Sequence, residues 1–562
     1  MVTNTLAETD LSIRGANEAL EVNLRAHIGK IDDAELKNPR LLTRRINGQV
    51  TESTNALGYY HSEWAVSLKP NNVHIELSEG PPVILLKPNI QVITQPDDEP
   101  VFAKIINENG LVAGEQLDHS KYDALKKQLM QQAKRFGFFD AAYQTSELLV
   151  DVSDGPDGAG TAKITLILKS GERHYFGDTS FEGSQLSREF LARVVPFKAG
   201  DEYDSNTLAE FRRDLYETGY FSQVIVTTKQ VVRDGQHRVN LHVKMDDTSQ
   251  HHYEAGFGFD TDNGLRVSLS WDMPLVGTKG HTWYSRVEVS KPIQEISGTY
   301  RIPLQEPLTN FLLFDSGVLH QKIESTESSL FNVGASKLNL KEDGWQLRYG
   351  ASIDFEKYRQ RDDDWTDVYY LVPAVSWMRS GFDKGGDPAN GYRLWLAFEG
   401  SSTVLGSDTN FFKAHLGARW LTPLWQSTVR MLTRIELGAI DTQDILQVPV
   451  SRRFYTGGDQ TVRGYEYHAV ATRDENGDLI GGRYLNVASL EFSERITDRW
   501  RGAVFTDTGR AYNHLDEPFS SSVGLGVRWL SVIGEVRVDL AHPLDNNSET
   551  PIRLHLSMGK PL

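Results

Sequence analysis

From about His251 to its C-terminus the chain alternates. Helical periodicity stops there, and segment after segment of strand length sets apolar side chains against polar ones. In the segment from Ile552, residues Ile552, Leu554, Leu556 and Met558 interleave with Arg553, His555 and Ser557. From Gly534, Val536, Val538 and Leu540 interleave with Arg537 and Asp539. Near His281, Trp283, Val287 and Val289 oppose Tyr284, Arg286 and Glu288. Successive side chains of a strand point to opposite faces, so each segment has one face for an apolar medium and one for a polar medium. Charges on so many inner faces would be costly in a soluble sandwich core and are natural in a water-filled lumen. About sixteen such segments follow one another, an even number that suits an antiparallel transmembrane barrel. A propeller would need an internal period of about 40 residues, and none is visible.

The bulk properties agree with that reading. A mean hydropathy of -0.41 and the absence of a long apolar run exclude transmembrane helices, while barrel strands are only half apolar. The chain of 562 residues carries a formal charge of -17, which argues against a nucleic-acid partner. It contains no cysteine, so disulfides, zinc–thiolate sites and cysteine nucleophiles are excluded. The start, MVTNTLAETD, has neither a basic n-region nor an apolar h-region. A chain whose signal peptide has been removed is expected, because the other half reads as a membrane barrel.

The N-terminal half repeats itself. The triplets Gly58-Tyr59-Tyr60, Gly137-Phe138-Phe139 and Gly219-Tyr220-Phe221 lie 79 and 82 residues apart. Each ends a helical stretch (Leu41 to Leu57, Tyr122 to Phe136, Ser205 to Thr218) and is expected to open a strand, glycine stopping the helix. In the third copy a β-α-α-β-β order is legible: HYFGDTSFEG, a short helix from Ser187, the long helix, then SQVIVTTKQ and HRVNLHVKM around Arg233-Asp234-Gly235. The chain divides accordingly into α+β units at 1–80, 81–173 and 174–248 and a barrel at 249–562.

One loop, at about 442–482, is far too decorated for a hairpin connection. Its stretch RRFYTGGDQTVRGYEY holds four aromatics, three glycines and three arginines, centred on Val462-Arg463-Gly464-Tyr465. Arg463 offers a rigid, permanently charged fork to carboxylates. If Val504 faces lipid, then Phe505 and Asp507 of Phe505-Thr506-Asp507-Thr508-Gly509 face the lumen with Arg501. Glu491 on the preceding strand is a second acceptor, although Leu485 and Val487 share its parity and blur its orientation. Charge-assisted, bidentate contacts from Arg463 to Asp507 and Glu491 would pin the loop inside the barrel.

VRGY in a long loop, with FTDTG in the second strand after it, resembles the outer-membrane assembly and secretion superfamily that joins periplasmic POTRA domains to a 16-stranded barrel. SFEGSQL, VPFKAGDEY and GLGVRW support the resemblance, and Ser531-Val532-Ile533-Gly534 departs from it where the family often has proline after serine. The resemblance implies that the sixth extracellular loop folds inward, with Val462, Arg463, Gly464 and Tyr465 against Glu491, Phe505, Asp507 and Gly509. It implies an outer-membrane location, POTRA domains in the periplasm, no catalytic chemistry and no cofactor or metal. The implied partners are a TamB-like, periplasm-spanning, inner-membrane-anchored protein, unfolded outer-membrane protein substrates and outer-membrane lipids.

The closing strands are both poor in pairing potential. Tyr253, Gly256 and Gly258 mark the first, and Met558, Gly559 and Pro561 the last. Glycine weakens pairing and proline cannot donate to a ladder. With the resemblance, a lateral seam becomes the expected site of action, and insertion or secretion of β-barrel proteins such as autotransporters the expected function. A two-partner-type secretion pore, a phospholipid-transport component and, more distantly, an outer-membrane enzyme are the rivals. Asp474, Asn476 and Asp478 resemble the start of a calcium loop, but the twelfth position is Leu485, so a polar turn is expected.

Overall fold

The computed structural model describes residues 10–69, 72–153, 159–360, 364–383, 387–424, 428–531, 534–545 and 551–559. It falls into two compact units, one of Met1–Ser180, Pro196–Arg212 and Val226–Val243, the other of Phe181–Val195, Arg213–Ile225 and Lys244–Leu562.

Sixteen antiparallel strands, from His252–Asp260 to Arg553–Gly559, close into a barrel in which each strand pairs its sequence neighbours and the last returns to the first. The alternation places side chains as the sequence requires. Leu265, Leu269, Leu525 and Leu540 are more than half exposed on the outer face. Asp507, Arg528, Asp539 and His555 are 5 % exposed or less on the inner one. An exposed apolar band around a closed sheet is what a bilayer solvates, and closure leaves few backbone groups unpaired there. Among the described residues no helix is long and apolar enough to cross a membrane.

Three α/β units precede the barrel. In the first, strand Asp10–Arg14, helices Glu18–Ile28 and Pro39–Ala56, and strands Glu63–Lys69 and Asn72–Ser78 build a three-stranded sheet. Its last strand is central, parallel to the first and antiparallel to the second. Leu20, Leu24, Ile46, Val50 and Ile75 fill the space between helices and sheet. The second unit has the same plan around central strand Thr161–Lys169, with Ala142–Asp151 on one edge. Two short strands, Ile84–Leu85 and Asn89–Ile93, share the other edge. In the third, Tyr175–Glu182 and Phe221–Arg233 flank Gln236–Asp247. The hairpin there turns on Asp234 and Gly235, with φ of 53° and 76°, the pair of left-handed residues that a two-residue turn between twisted strands needs.

The glycine-aromatic triplets do something the sequence did not reveal. Gly58 and Gly137 stop helices Pro39–Ala56 and His119–Arg135 at φ of 79° and 84°. Tyr59 then donates its N–H to Thr54 O and Phe138 to Ala133 O, the bond that wraps the last helical turn. The chain does not pass straight into a strand; in these two copies the strands begin only at Glu63 and Ala142, and Phe221 alone opens one directly. The intervening turn has a use. Its first aromatic is buried in its own unit, Tyr59 in the first core and Phe138 in the second. Its second reaches the following unit: Tyr60 pairs its hydroxyl with His119 Nε2 at 2.9 Å, and Phe139 packs edge-on against His174 and Tyr203. The carbonyls of Gly58 and Gly137 accept from Val83 and His174 N–H. Within the barrel-containing unit, Tyr220 donates its hydroxyl to Gly280 O at 2.8 Å, in a barrel turn whose Thr278 O accepts from Ser187 N–H. Each triplet is a joint.

Buried large-to-small changes of this kind cost about 3–5 kcal/mol. Phe138→Ala is therefore expected to strip hydrogen-exchange protection from Ala142–Asp151 and Thr161–Lys169. Phe139→Ala should leave those strands protected and expose the His174 amide instead. Equal patterns from the two variants would refute the division of labour.

Candidate functional site

The loop between strands Val429–Asp441 and Tyr484–Arg495 enters the lumen and packs on the barrel wall. Two short 3-10 turns, Ile445–Gln447 and Val450–Arg452, lead it in. Val462, Phe454, Ile445, Val448 and Leu479 of the loop join Tyr370, Val372, Ile440, Leu485, Val487 and Ala511 of the wall in one buried apolar cluster. The wall here is not lined for water. Leu485 and Val487 share the inward parity of Glu491 because the loop, rather than solvent, covers that stretch of strand. Gly509 makes room: a Cβ there would lie 3.0 Å from Val462 Cγ2.

At the centre of the loop, Arg463 is 5 % exposed. Its Nε donates to Asp507 Oδ2 at 2.7 Å and its Nη2 to Asp507 Oδ1 at 2.9 Å, a two-pronged grip, while its backbone N–H reaches the same carboxylate at 3.1 Å. Nη1 donates to Glu491 Oε2 at 2.7 Å and to Asp539 Oδ2 at 3.3 Å. The guanidinium lies 3.4 Å from the centre of the Phe505 ring, whose face favours a cation. Arg528 closes the circuit through Asp539 and Glu491, and Ser489 donates to Asp507 at 2.6 Å. Asp539 and Arg528 were absent from the sequence-derived set, although the alternation from Gly534 had already put Asp539 on the inner face.

The residues after Arg463 hold it in register. Gly464 sits at φ 96°, and a Cβ there would come within 3.3 Å of Ser522. Its N–H donates to His555 Nε2 at 2.8 Å, which fixes the His555 proton on Nδ1. Tyr465 donates its hydroxyl to Ser521 O at 3.0 Å.

A second anchorage lies at the loop entrance and has no counterpart in the sequence reading. Glu356, 2 % exposed, accepts from Ser451 N–H and Oγ and from Tyr370 hydroxyl. Arg452 pairs with Asp354 and with Glu399 at 2.9 Å. Arg453 staples the loop to itself through Val448, Leu446 and Ile480 carbonyls. The signal was present in the sequence as paired carboxylates Asp354 and Glu356 at lumenal parity, but their partners lie nearly a hundred residues away. Asp474 accepts from Asn476 and Asp478 N–H in a polar turn, and among the described residues no cluster suits a metal ion.

At the seam, described pairing between first and last strands comprises Phe259 with Met558 and Asp260 with Ser557, extended by Thr261 N–H to Leu556 O. The first strand pairs the second from His252 to Asp260. Tyr253 and Gly256 stand opposite Trp271 and Ser268 of the second strand, and a Cβ on Gly258 would lie 3.4 Å from Met558 O. Gly559 ends the last strand, and Pro561 falls outside the described residues, as do Val532 and Ile533 of the departing turn. The loop touches both sides of this seam. Asp459 N–H donates to Asp262 in the first hairpin at 2.6 Å, Gly464 binds His555, and Glu466 pairs with Arg553 at 2.9 Å.

Comparison with known proteins agrees with this geometry. Residues 309–561 match the Omp85 superfamily domain, residues 10–78 the POTRA domain described as TamA domain 1, and residues 174–246 a POTRA family described as surface antigen variable number repeat. Relatives include the outer membrane protein assembly factor BamA of Nitratidesulfovibrio vulgaris, 25% identical over 420 residues, covering 71% of this chain and 52% of that protein. BamA of Neisseria meningitidis is 21% identical over 487 residues, covering 75% and 60%. The chain thus spans between about half and three fifths of these relatives. The structure of BamA from Haemophilus ducreyi lacking POTRA domains 1–3 superposes with a TM-score of 0.71 at 16% identity, over 85% of this chain and 99% of that one. The chain therefore carries POTRA domains followed by a closed 16-stranded antiparallel β-barrel, most of which matches the Omp85 superfamily domain.

Removing one member of a buried ion pair costs about 3–5 kcal/mol, because the partner is left charged and dry. Arg463→Ala is expected to free the loop to added protease and lower the thermal midpoint. Arg463→Lys should rescue only part of this, since an ammonium cannot grip Asp507 with two prongs, and Asp507→Asn should behave like Arg463→Ala. Wild-type protease resistance in all three would discard the clasp.

Proposed function

We propose that this protein is an outer-membrane assembly factor resembling TamA, the barrel subunit of the translocation and assembly module. On this reading it helps insert or translocate β-barrel proteins, autotransporters among them, and works without catalytic chemistry. The POTRA units engage a TamB-like partner that spans the periplasm, and the barrel meets unfolded substrate strands and outer-membrane lipids. Arg463 and its carboxylates serve as a clasp that keeps the loop seated, and the seam is where substrate enters.

The observation that carries this reading is the described pairing where the barrel closes. Among the described residues the first strand pairs the second from His252 to Asp260 and pairs the last at Phe259 and Asp260, and we read this junction as the place where the barrel can open. An edge opened there is a template for an incoming strand, which would gain main-chain hydrogen bonds that lipid cannot offer. The POTRA match at residues 10–78 supports the choice of TamA over other members. The inward-folded loop favours an insertase over a secretion pore, because its ionic network and apolar cluster occupy part of the lumen.

The chain has no cysteine, so a pair can be introduced cleanly. Phe259→Cys with Met558→Cys joins residues that face each other across the seam. In liposomes carrying the full chain, oxidation is expected to abolish substrate assembly and reductant to restore it. Full assembly with the disulfide formed would remove the seam from the mechanism. Bilayer conductance gives a second check: a steady open pore in the wild type would favour secretion instead.

A further inference from the structure

Three arginines stand side by side on the lumenal wall. Arg393, Arg419 and Arg434 belong to neighbouring strands Gly391–Ser401, Phe411–Pro423 and Val429–Asp441. The register sets Arg393 opposite Arg419 and Arg419 opposite Arg434. Like charges directly opposite in a sheet repel, so the row needs a counter-charge or a reason.

Arg434 has a structural occupation: Nη1 and Nη2 donate to Gln460 and Thr461 carbonyls of the loop. Its buried Nε has no hydrogen-bond partner among the described residues. Arg393 and Arg419 have no carboxylate within ion-pair distance among the described residues. Among the described residues Arg393 reaches the Met378 sulfur, at 3.7 Å, and lies 6.0 Å from the Trp395 ring centre. Most of the surrounding acids have partners of their own, and of these Glu436 also faces Arg419 across a shared cavity. Glu436 takes His415 at 2.7 Å, Glu399 takes Lys413 and Arg452, and Asp315 takes Arg348. Arg393 and Arg419 line a lumenal cavity of about 510 Å³ together with Arg348 and one carboxylate, Glu436, and its apolar walls include Leu313, Leu338 and Trp395. Arg419 also borders a second space, of about 390 Å³, that reaches Ser557 and Met558 at the seam.

We propose that Arg393 and Arg419 form a binding site for a phosphate group inside the barrel, with the apolar wall beside them receiving the uncharged part of a phosphate ester. Two guanidinium forks on adjacent strands present more donors than one carboxylate can accept. A tetrahedral phosphate has enough oxygens to bridge both. The group can come from free phosphate or from a lipid headgroup. The site is independent of the seam reading, and a disulfide-locked seam leaves the binding measurement valid.

The test is calorimetric titration of the full chain in uncharged detergent, wild type against Arg393→Gln/Arg419→Gln. The probes are inorganic phosphate, dihexanoyl phosphatidylglycerol and, as control, dihexanoyl glycerol. Wild type is expected to bind a phosphate-bearing probe and not the control, and the double variant to bind it roughly tenfold to a hundredfold more weakly, the scale of lost charge-assisted hydrogen bonds. Binding of both phosphate probes assigns recognition to the phosphate itself; binding of the lipid alone assigns the source to headgroups. A thermal scan separates binding from folding. Without ligand, Arg419→Gln should raise the unfolding midpoint by relieving repulsion, and the probe should raise the midpoint of wild type only. No binding of either phosphate probe, or equal binding by the double variant, overturns the proposal.

Discussion

The structure depends on one buried cation. A guanidinium shut away from water is tolerable only if acceptors are already in place, since desolvation costs several kcal/mol per ion. Arg463 meets that condition with Asp507, Glu491 and Asp539 on three different strands, and Arg528 balances the surplus negative charge. A buried ion network is by itself weak evidence of added stability. A two-pronged grip has one geometry, and the loop can enter the lumen in only one register if Arg463 is to keep it. From that register follow the burial of Val462 beneath Gly509 and the turn at Gly464.

The same register ties the loop to both closing strands. Closure abolishes edges only where the last ladder is complete. Here the described ladder between first and last strands is short, yet Asp262 on one side and His555 and Arg553 on the other are all tied to the loop. Bonds through the lumen thus add to the described ladder. Loop and seam are then one mechanical system, because whatever displaces the loop also removes a brace from both closing strands.

Strand alternation made the barrel, its lumenal parity and the Asp507 contact legible, because each follows from a local period of two. Glu491 was harder, since Leu485 and Val487 looked like lipid-facing residues on the wrong side. Their parity makes sense only once a loop covers them, and a cover contributed by distant residues leaves no local trace. The anchorage of Ser451 and Arg452 on Glu356 and Asp354 was hidden for the same reason. In the triplets, the repeat itself was visible and its meaning was not. Tyr60 and Phe139 look like strand openers by sequence, but their partners His119 and His174 belong to the next unit. A clue lay in the second aromatic: a residue kept apolar just after a helix stop, before any strand alternation begins, has something outside its own unit to meet.

Charge makes the final distinction between what holds this lumen together and what it is for. The clasp arginines are each matched by carboxylates at hydrogen-bond distance, as folding demands. The row from Arg393 to Arg434 is built the opposite way, with cross-strand partners of the same sign in a chain whose overall charge is negative. Nothing in composition forces positive neighbours together when acidic residues outnumber basic ones. A sheet position opposite Arg419 could take glutamate and gain a cross-strand ion pair. Arginine there, with Glu436 the one carboxylate lining the same cavity, leaves a surplus of positive charge facing the space that the proposed phosphate would enter.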